Sequence, residues 1–157
     1  MIAVRRVTPQ DSADIFFWRN DPLTVEMSLS QTEVLTNEHA EWFSETLNSS
    51  ECVHVIGESV GSDKSPEKVG VCRFDRQETN RWIVNINLNP ALRGRRLSGD
   101  FLAHSIEYLQ NNLPSRKVTL VAEVLEKNIP SLKIFELNGF RIVQKLAGVA
   151  HMKRELS

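Results

Sequence analysis

Several things are scarce in this 157-residue sequence. There are two cysteines, Cys52 and Cys72, with no C-x-x-C spacing, so neither a disulfide scaffold nor a paired-thiolate metal site is indicated. The four histidines form no H-x-x-x-H pattern, which leaves no zinc motif. The formal net charge is −1, so no global field favours nucleic acid or an anionic membrane. No apolar run approaches the ~20 residues of a membrane span. The start, Met1-Ile2-Ala3-Val4-Arg5-Arg6, has no signal-peptide apolar core, and a cytoplasmic location is the expectation. Walker and post-strand G-x-G-x-x-G patterns are also missing, which removes support for NTPase and dinucleotide-binding readings.

The rest is an ordinary globular composition, 41% hydrophobic and 25% charged, of a length suited to one domain over residues 1–157. The most informative stretch runs from Trp82 to Leu109. Trp82-Ile83-Val84-Asn85-Ile86-Asn87-Leu88 alternates apolar and polar residues with period two and predicts a strand that Asn89-Pro90 ends. Leu97, Phe101, Leu102, Ile106 and Leu109 then recur at helical spacing. Between them lies Arg93-Gly94-Arg95-Arg96-Leu97-Ser98-Gly99, a basic turn opening a helix. Such a terminus offers unpaired N–H groups and partial positive charge to an anion, and arginines match a diphosphate.

A second β-branched run, Val118 to Val124, is followed by Asn128, Pro130 and Ser131, which suit a helix start, and by Gly139, which suits its end. Upstream, Ile2–Val7 reads as a strand and Thr8-Pro9 as a helix start, with the helix ending near Asn20-Asp21-Pro22. A further helix spans Asn37–Leu47 on an Ala40, Phe43, Leu47 stripe. Strands follow at Val53–Glu58 and Lys68–Phe74, joined by the polar cluster Gly61 to Lys68 as a hairpin, and the chain closes on strands Phe140–Leu146 and Val149–Arg154. The layout is mixed α/β.

The strand, basic turn and helix resemble the acyl-coenzyme A motif of the GNAT N-acetyltransferases. Asn128…Ser131…Phe135-Glu136…Gly139-Phe140 is similar to that family's second motif. The resemblance implies a central mixed sheet of six to seven strands, splayed between the fourth and fifth, with about four flanking helices. It also implies acetyl-CoA as donor, no metal, and cofactor contacts from Arg93, Gly94, Arg95, Arg96, Leu97, Ser98, Gly99, Asn128 and Ser131. The backbone of Asn87 and Leu88 would pair with pantetheine amides as an added strand. Three positions depart from the family: Arg96 and Ser98 stand where small residues are usual, and Phe135 stands where many members carry a tyrosine acid.

Trp18-Arg19-Asn20-Asp21-Pro22, Glu38 to Phe43 and Val69-Gly70…Arg73-Phe74-Asp75 resemble one branch of the superfamily. That branch acetylates amino groups of nucleotide-linked sugars, as in pseudaminic acid-type pathways, or N-termini of ribosomal proteins. The match lies nearer the sugar-amine group. Arg19, Arg73, Trp42 and Trp82 are the acceptor candidates, since arginine grips phosphate and an aromatic face stacks on a ring; Asn85 joins them. Relatives often place a carboxylate on the strand before the cofactor turn, and Trp82–Leu88 has none. Glu123 and His39 are the candidate bases, with ordered water passing Asn85 or Asn87 as a third route. The expectation is acetyl transfer to a small-molecule primary amine in a ternary complex. A protein N-terminal acetyltransferase and a non-catalytic acyl-CoA-binding module are the alternatives, and a homodimer is left open.

Overall fold

The computed structural model describes residues 1–60 and 65–157. Seven strands form one sheet: β1 (Ile2–Arg6), β2 (Cys52–Ser59), β3 (Glu67–Glu78), β4 (Arg81–Leu88), β5 (Thr119–Leu125), β6 (Arg141–Leu146) and β7 (Val149–Glu155). Their order is β1-β2-β3-β4-β5-β7-β6. Every pairing is antiparallel except β4 with β5. The helices are α1 (Ser12–Arg19), α2 (Pro22–Glu26), α3 (Thr36–Leu47), α4 (Ser98–Asn111) and α5 (Ile129–Leu137).

The parallel pair governs everything else. β4 and β5 are in register only from Arg81↔Thr119 to Ile83↔Val121, after which they diverge. Val84 to Leu88 therefore keep their pairing to β3 while their other edge opens into a cleft. The expected splay between the fourth and fifth strands is present, and the strand count is seven.

Period-two alternation sorts side chains onto two faces. Val53, Phe74, Val84 and Trp82, with Val55 and Cys72, join the main core against Phe101, Leu102, Ile106 and Leu109 of α4. The opposite face carries Ile56 and Val71, which pack with Val7, Ile15, Trp18 and Phe43 beneath α1 and α3. α4 sits close to the sheet because Gly57 and Gly70 leave space for Phe101. A Cβ on Gly57 would lie 2.4 Å from that ring, and one on Gly70 would lie 2.6 Å from the Asn87 carbonyl oxygen.

At the sheet's β1 end, Asp11 is fully enclosed and pairs with both Arg5 and Lys68 at 2.8 Å. These two cations hold its carboxyl well below the usual carboxylate range despite burial. The network pins the Thr8–Asp11 turn to β1 and β3, which sets the direction of α1.

Two sequence expectations change. Asn20-Asp21-Pro22 ends α1 but also starts α2, because the Asp21 side chain accepts the Thr24 amide at 3.2 Å and Pro22 suits a first turn. In α3 the buried positions are His39 and Phe43, with Leu47 half-buried; Ala40 is exposed, so the stripe begins one residue earlier. β2 and β3 do pair antiparallel, up to Ser59↔Glu67, while 61–64 of the expected hairpin cluster lie outside the described residues.

Candidate active site

Two adjoining cavities occupy the open side of β4. The larger, about 650 Å³, runs from the exposed β4 edge, Val84 to Leu88, past Arg93, Gly94 and Ser98 to Asn128, Ser131 and Phe135. The smaller, about 330 Å³, lies under α1 and α3 and is lined by His39, Trp42, His54 and Val71. Arg19, Arg73, Asn85 and Asn87 line both.

Strand register builds the shared wall. His54 faces Arg73 across β2 and β3, and Arg73 faces Asn85 across β3 and β4, so the three form one row on one face. The parallel register of β4 and β5 puts Glu123 on that same face, across the cleft from Asn85 and Asn87. Arg73 lies with its guanidinium 5.0 Å from the Trp42 ring centroid while its Nε donates to Asp75 at 2.8 Å. Arg19 donates to the Ser30 hydroxyl at 3.0 Å and the Thr32 carbonyl at 3.2 Å. Its Nη1 is buried with no partner among the described residues, and burial lowers its pKa.

The two expected bases sit in different places. Glu123 lines the larger cavity with its side chain 43% exposed and His151 Nδ1 3.9 Å away. His39 lines the smaller one, bonded through Nε2 to the Ser12 hydroxyl at 3.0 Å and packed among Phe16, Trp42 and Phe43. Burial lowers the His39 pKa.

The cofactor turn divides. Arg93, Gly94 and Ser98 line the larger cavity, as do Asn87, Leu88, Asn128 and Ser131. Arg95, Arg96, Leu97 and Gly99 line neither cavity, and Arg95 lies 3.7 Å from Glu67. Arg96 takes a left-handed φ of 57°, the conformation glycine reaches most easily. That is the conformational demand behind a small residue at this place, met here by arginine. Gly94, at φ +80°, has no atom within 4 Å of where a Cβ would be. An open backbone turn, a guanidinium and the first turn of a 14-residue helix fit a diphosphate. The unpaired β4 edge fits an extended amide-bearing chain. These features accommodate acetyl-CoA, which supplies the acetyl group as a thioester when bound.

Trp82 is corrected. It is 3% exposed in the main core, because it is in phase with Val84 rather than with Asn85 and Asn87. His54 is the residue that sequence reasoning missed. It is 5% exposed, its Nδ1 has no partner among the described residues, and it lines the smaller cavity. Burial, reinforced by the Arg73 charge, pushes its pKa down to about 4, which keeps the ring neutral. The available signal was its phase: His54 alternates with Val53 and Val55, in step with Ile56.

A mixed sheet opened between a parallel pair, with a basic glycine turn at the mouth, defines an acyl-coenzyme A N-acyltransferase class of domain. The acetyltransferase (GNAT) domain family matches residues 2–141, and this chain belongs to that family. An uncharacterised protein of Methanocaldococcus jannaschii is 26% identical over 146 residues, 92% of this chain but 29% of that protein. The chain thus spans under a third of the length of that curated relative. Spermidine N-acetyltransferase from Vibrio cholerae, solved with CoA and spermine, superposes with a TM-score of 0.81 at 13% identity over 98% of this chain and 95% of that one. Campylobacter jejuni N-acetyltransferase PseH, solved with acetyl coenzyme A, gives 0.72 at 19% identity over the whole of both chains. At these identities the structures establish the fold alone. Among the described residues, no helix is long and apolar enough to cross a membrane.

Proposed function

We propose that this chain transfers an acetyl group from acetyl-CoA to the primary amine of a small molecule, an amino group on a nucleotide-linked sugar, by direct attack in a ternary complex. The observation that carries this reading is the wall shared by the two cavities. Arg19 and Arg73 project there with no acidic side chain pairing Arg19, and Trp42 supplies an aromatic surface beside Arg73. Two guanidinium groups beside an indole suit an acceptor that carries phosphate and a ring. They do not suit a polyamine, whose own charges would oppose Arg19 and Arg73.

In this reading the larger cavity holds the donor. Gly94 and Ser98 face the diphosphate, and the open β4 edge at Asn87 and Leu88 faces the pantetheine arm. The smaller cavity holds the acceptor, and the amine reaches the donor between Asn85 and Glu123. Glu123 receives the ammonium proton, since it lies on the cleft wall and water reaches it. His39 orients the acceptor from within the aromatic cluster.

The test is acetyl transfer from acetyl-CoA to matched amines: an amino sugar linked to UDP, the same free amino sugar, spermidine, and a peptide with a free N-terminus. The UDP-linked amine should show the highest kcat/KM, by about 10²-fold over the free sugar. Arg73→Lys and Trp42→Leu should raise its KM about 5-fold or more, since each removes a planar contact. Preference for spermidine or the peptide would overturn the reading. Tight acetyl-CoA binding without turnover of any amine would support a binding module instead.

A further inference from the structure

Arg93, on the cofactor turn, is not free. Its Nη2 donates to the Asp21 carboxylate and to the Thr24 hydroxyl, the latter at 3.3 Å. Both partners belong to the start of α2, and Thr24 lines the larger cavity. Among the described residues these are the side-chain hydrogen bonds that join the cofactor turn to the segment 21–34. Nε and Nη1 of Arg93 make no hydrogen bond to described residues, and Arg93 lines the larger cavity.

Asp21 is well placed to hold that guanidinium. Its side chain is 18% exposed and its carboxyl is shifted down, first by Arg93 and then by the Thr24 amide. The same carboxylate caps α2. Downstream, Ser30 and Thr32 bind Arg19, and the Asn20 side chain accepts the Val34 amide at 2.7 Å while donating to the Val34 carbonyl at 2.8 Å. One segment therefore touches the cofactor arginine at its beginning and the acceptor arginine near its end.

We propose that Asp21 is a positioning residue for cofactor binding: it fixes Arg93 through Nη2 so that Nε and Nη1 face the donor's diphosphate, and the pair couples donor binding to the segment that carries Arg19's partners. A guanidinium has five donors in a rigid fork, so it can bridge a carboxylate and a phosphate at once. Holding it in place removes the rotamer freedom that binding would otherwise cost. The bridge also transmits order: a phosphate that fixes Arg93 from one side restrains Asp21, and with it α2. The inference rests on the cofactor turn and not on which amine is the acceptor.

The experiment is a double-mutant cycle on CoA affinity, measured by calorimetry, with Asp21→Asn, Arg93→Ala and both together. Asparagine retains the N-cap oxygen, so α2 keeps its start while the charge is lost. Asp21→Asn should weaken CoA binding about 10-fold, and Arg93→Ala by at least as much. The double variant should be no weaker than Arg93→Ala, because Asp21 acts through Arg93. Hydrogen exchange supplies the second readout. Adding CoA should slow amide exchange across 22–34 in the wild type, and should no longer do so in Asp21→Asn. Equal or tighter CoA binding in Asp21→Asn, additive losses in the double variant, or an unchanged segment in the wild type would each overturn the proposal. A failed amine screen beside an intact cycle would instead count against the acceptor reading alone.

Discussion

His54 and Arg73 stand directly opposite each other on β2 and β3, a neutral buried imidazole beside a guanidinium. The arginine is turned toward Trp42 and Asp75, so the histidine keeps a nitrogen at the smaller cavity that has no partner among the described residues. Asp75, Asp11 and His39 also act on this ring, but burial is the dominant influence.

That arrangement fixes a pH dependence of stability. An unfolded histidine titrates near 6.5, whereas His54 in the fold is pushed down to about 4. Between those values the unfolded chain binds a proton that the folded chain refuses. Stability is therefore complete above about pH 6.5 and is lost as pH falls toward 4. The part due to His54 is of order 3 kcal/mol, and His39 adds in the same direction. Asp11 and Asp21, both lowered, add stability that is complete above their ordinary range and is lost only as pH falls below it. Thermal melts from pH 7 to pH 4.5 should show a steady fall in Tm, with a shallower slope in His54→Phe. A flat wild-type profile would refute the burial argument.

Much of this site was readable before any coordinates. Strand β4, the α4 stripe, the Asn128 cap and the Gly139 stop follow from local patterns, because each depends on residues within one or two turns of chain. The splay follows from family likeness. Register was not readable: nothing local shows that His54, Arg73 and Asn85 form a row, since that depends on how three separate strands align. Trp82 departs from expectation for the opposite reason: its aromatic chemistry suits a ligand, but its phase with Val84 turns it into the core. The Asp21–Arg93 pair joins positions 72 apart and had no signature beyond the two motifs themselves.

Glu123 and His39 can be separated kinetically. Glu123 sits on the open cleft wall, while His39 is enclosed by aromatic rings and bonded to Ser12. Glu123→Gln should lower kcat about 10²-fold with KM changed less than about 3-fold. His39→Asn should act mainly on KM. The reverse split would move the base to His39 and the proton path into the smaller cavity.

Gly70 should tolerate nothing larger than hydrogen. A Cβ there meets the Asn87 carbonyl oxygen at 2.6 Å and the Leu88 Cα at 3.1 Å, both backbone atoms that cannot rotate away. Gly70→Ala should cost about 2 kcal/mol of stability, read from denaturant midpoints. It should also weaken acetyl-CoA binding, because the displaced backbone is the β4 edge at the donor cavity. Gly57→Ala serves as the comparison: its contact is the Phe101 ring at 2.4 Å, so it strains the core without pressing on Asn87. Equal effects of the two changes on acetyl-CoA affinity would mean that the β4 edge is not a separate determinant of binding.

Phe135 poses the remaining chemical question, since it lines the larger cavity at the place where the family resemblance implies a tyrosine. Its ring is 3% exposed and meets Phe140 edge-on, with centroids 5.0 Å apart. It can shape the cavity and exclude water, but it has no proton to give. A thiol titrates near 8.5, so a thiolate departs far more readily than an alkoxide would, and transfer does not require an acid at this place. Phe135→Tyr should therefore leave kcat at pH 7 within about 3-fold of wild type, while Phe135→Ala should mainly destabilise the fold, by about 3 kcal/mol, through loss of the Phe140 contact. A rise in kcat of about 10²-fold in Phe135→Tyr would show instead that leaving-group protonation limits this enzyme. The natural phenylalanine would then be a brake on turnover, and positioning by Arg93 and the β4 edge would have to account for less of the rate.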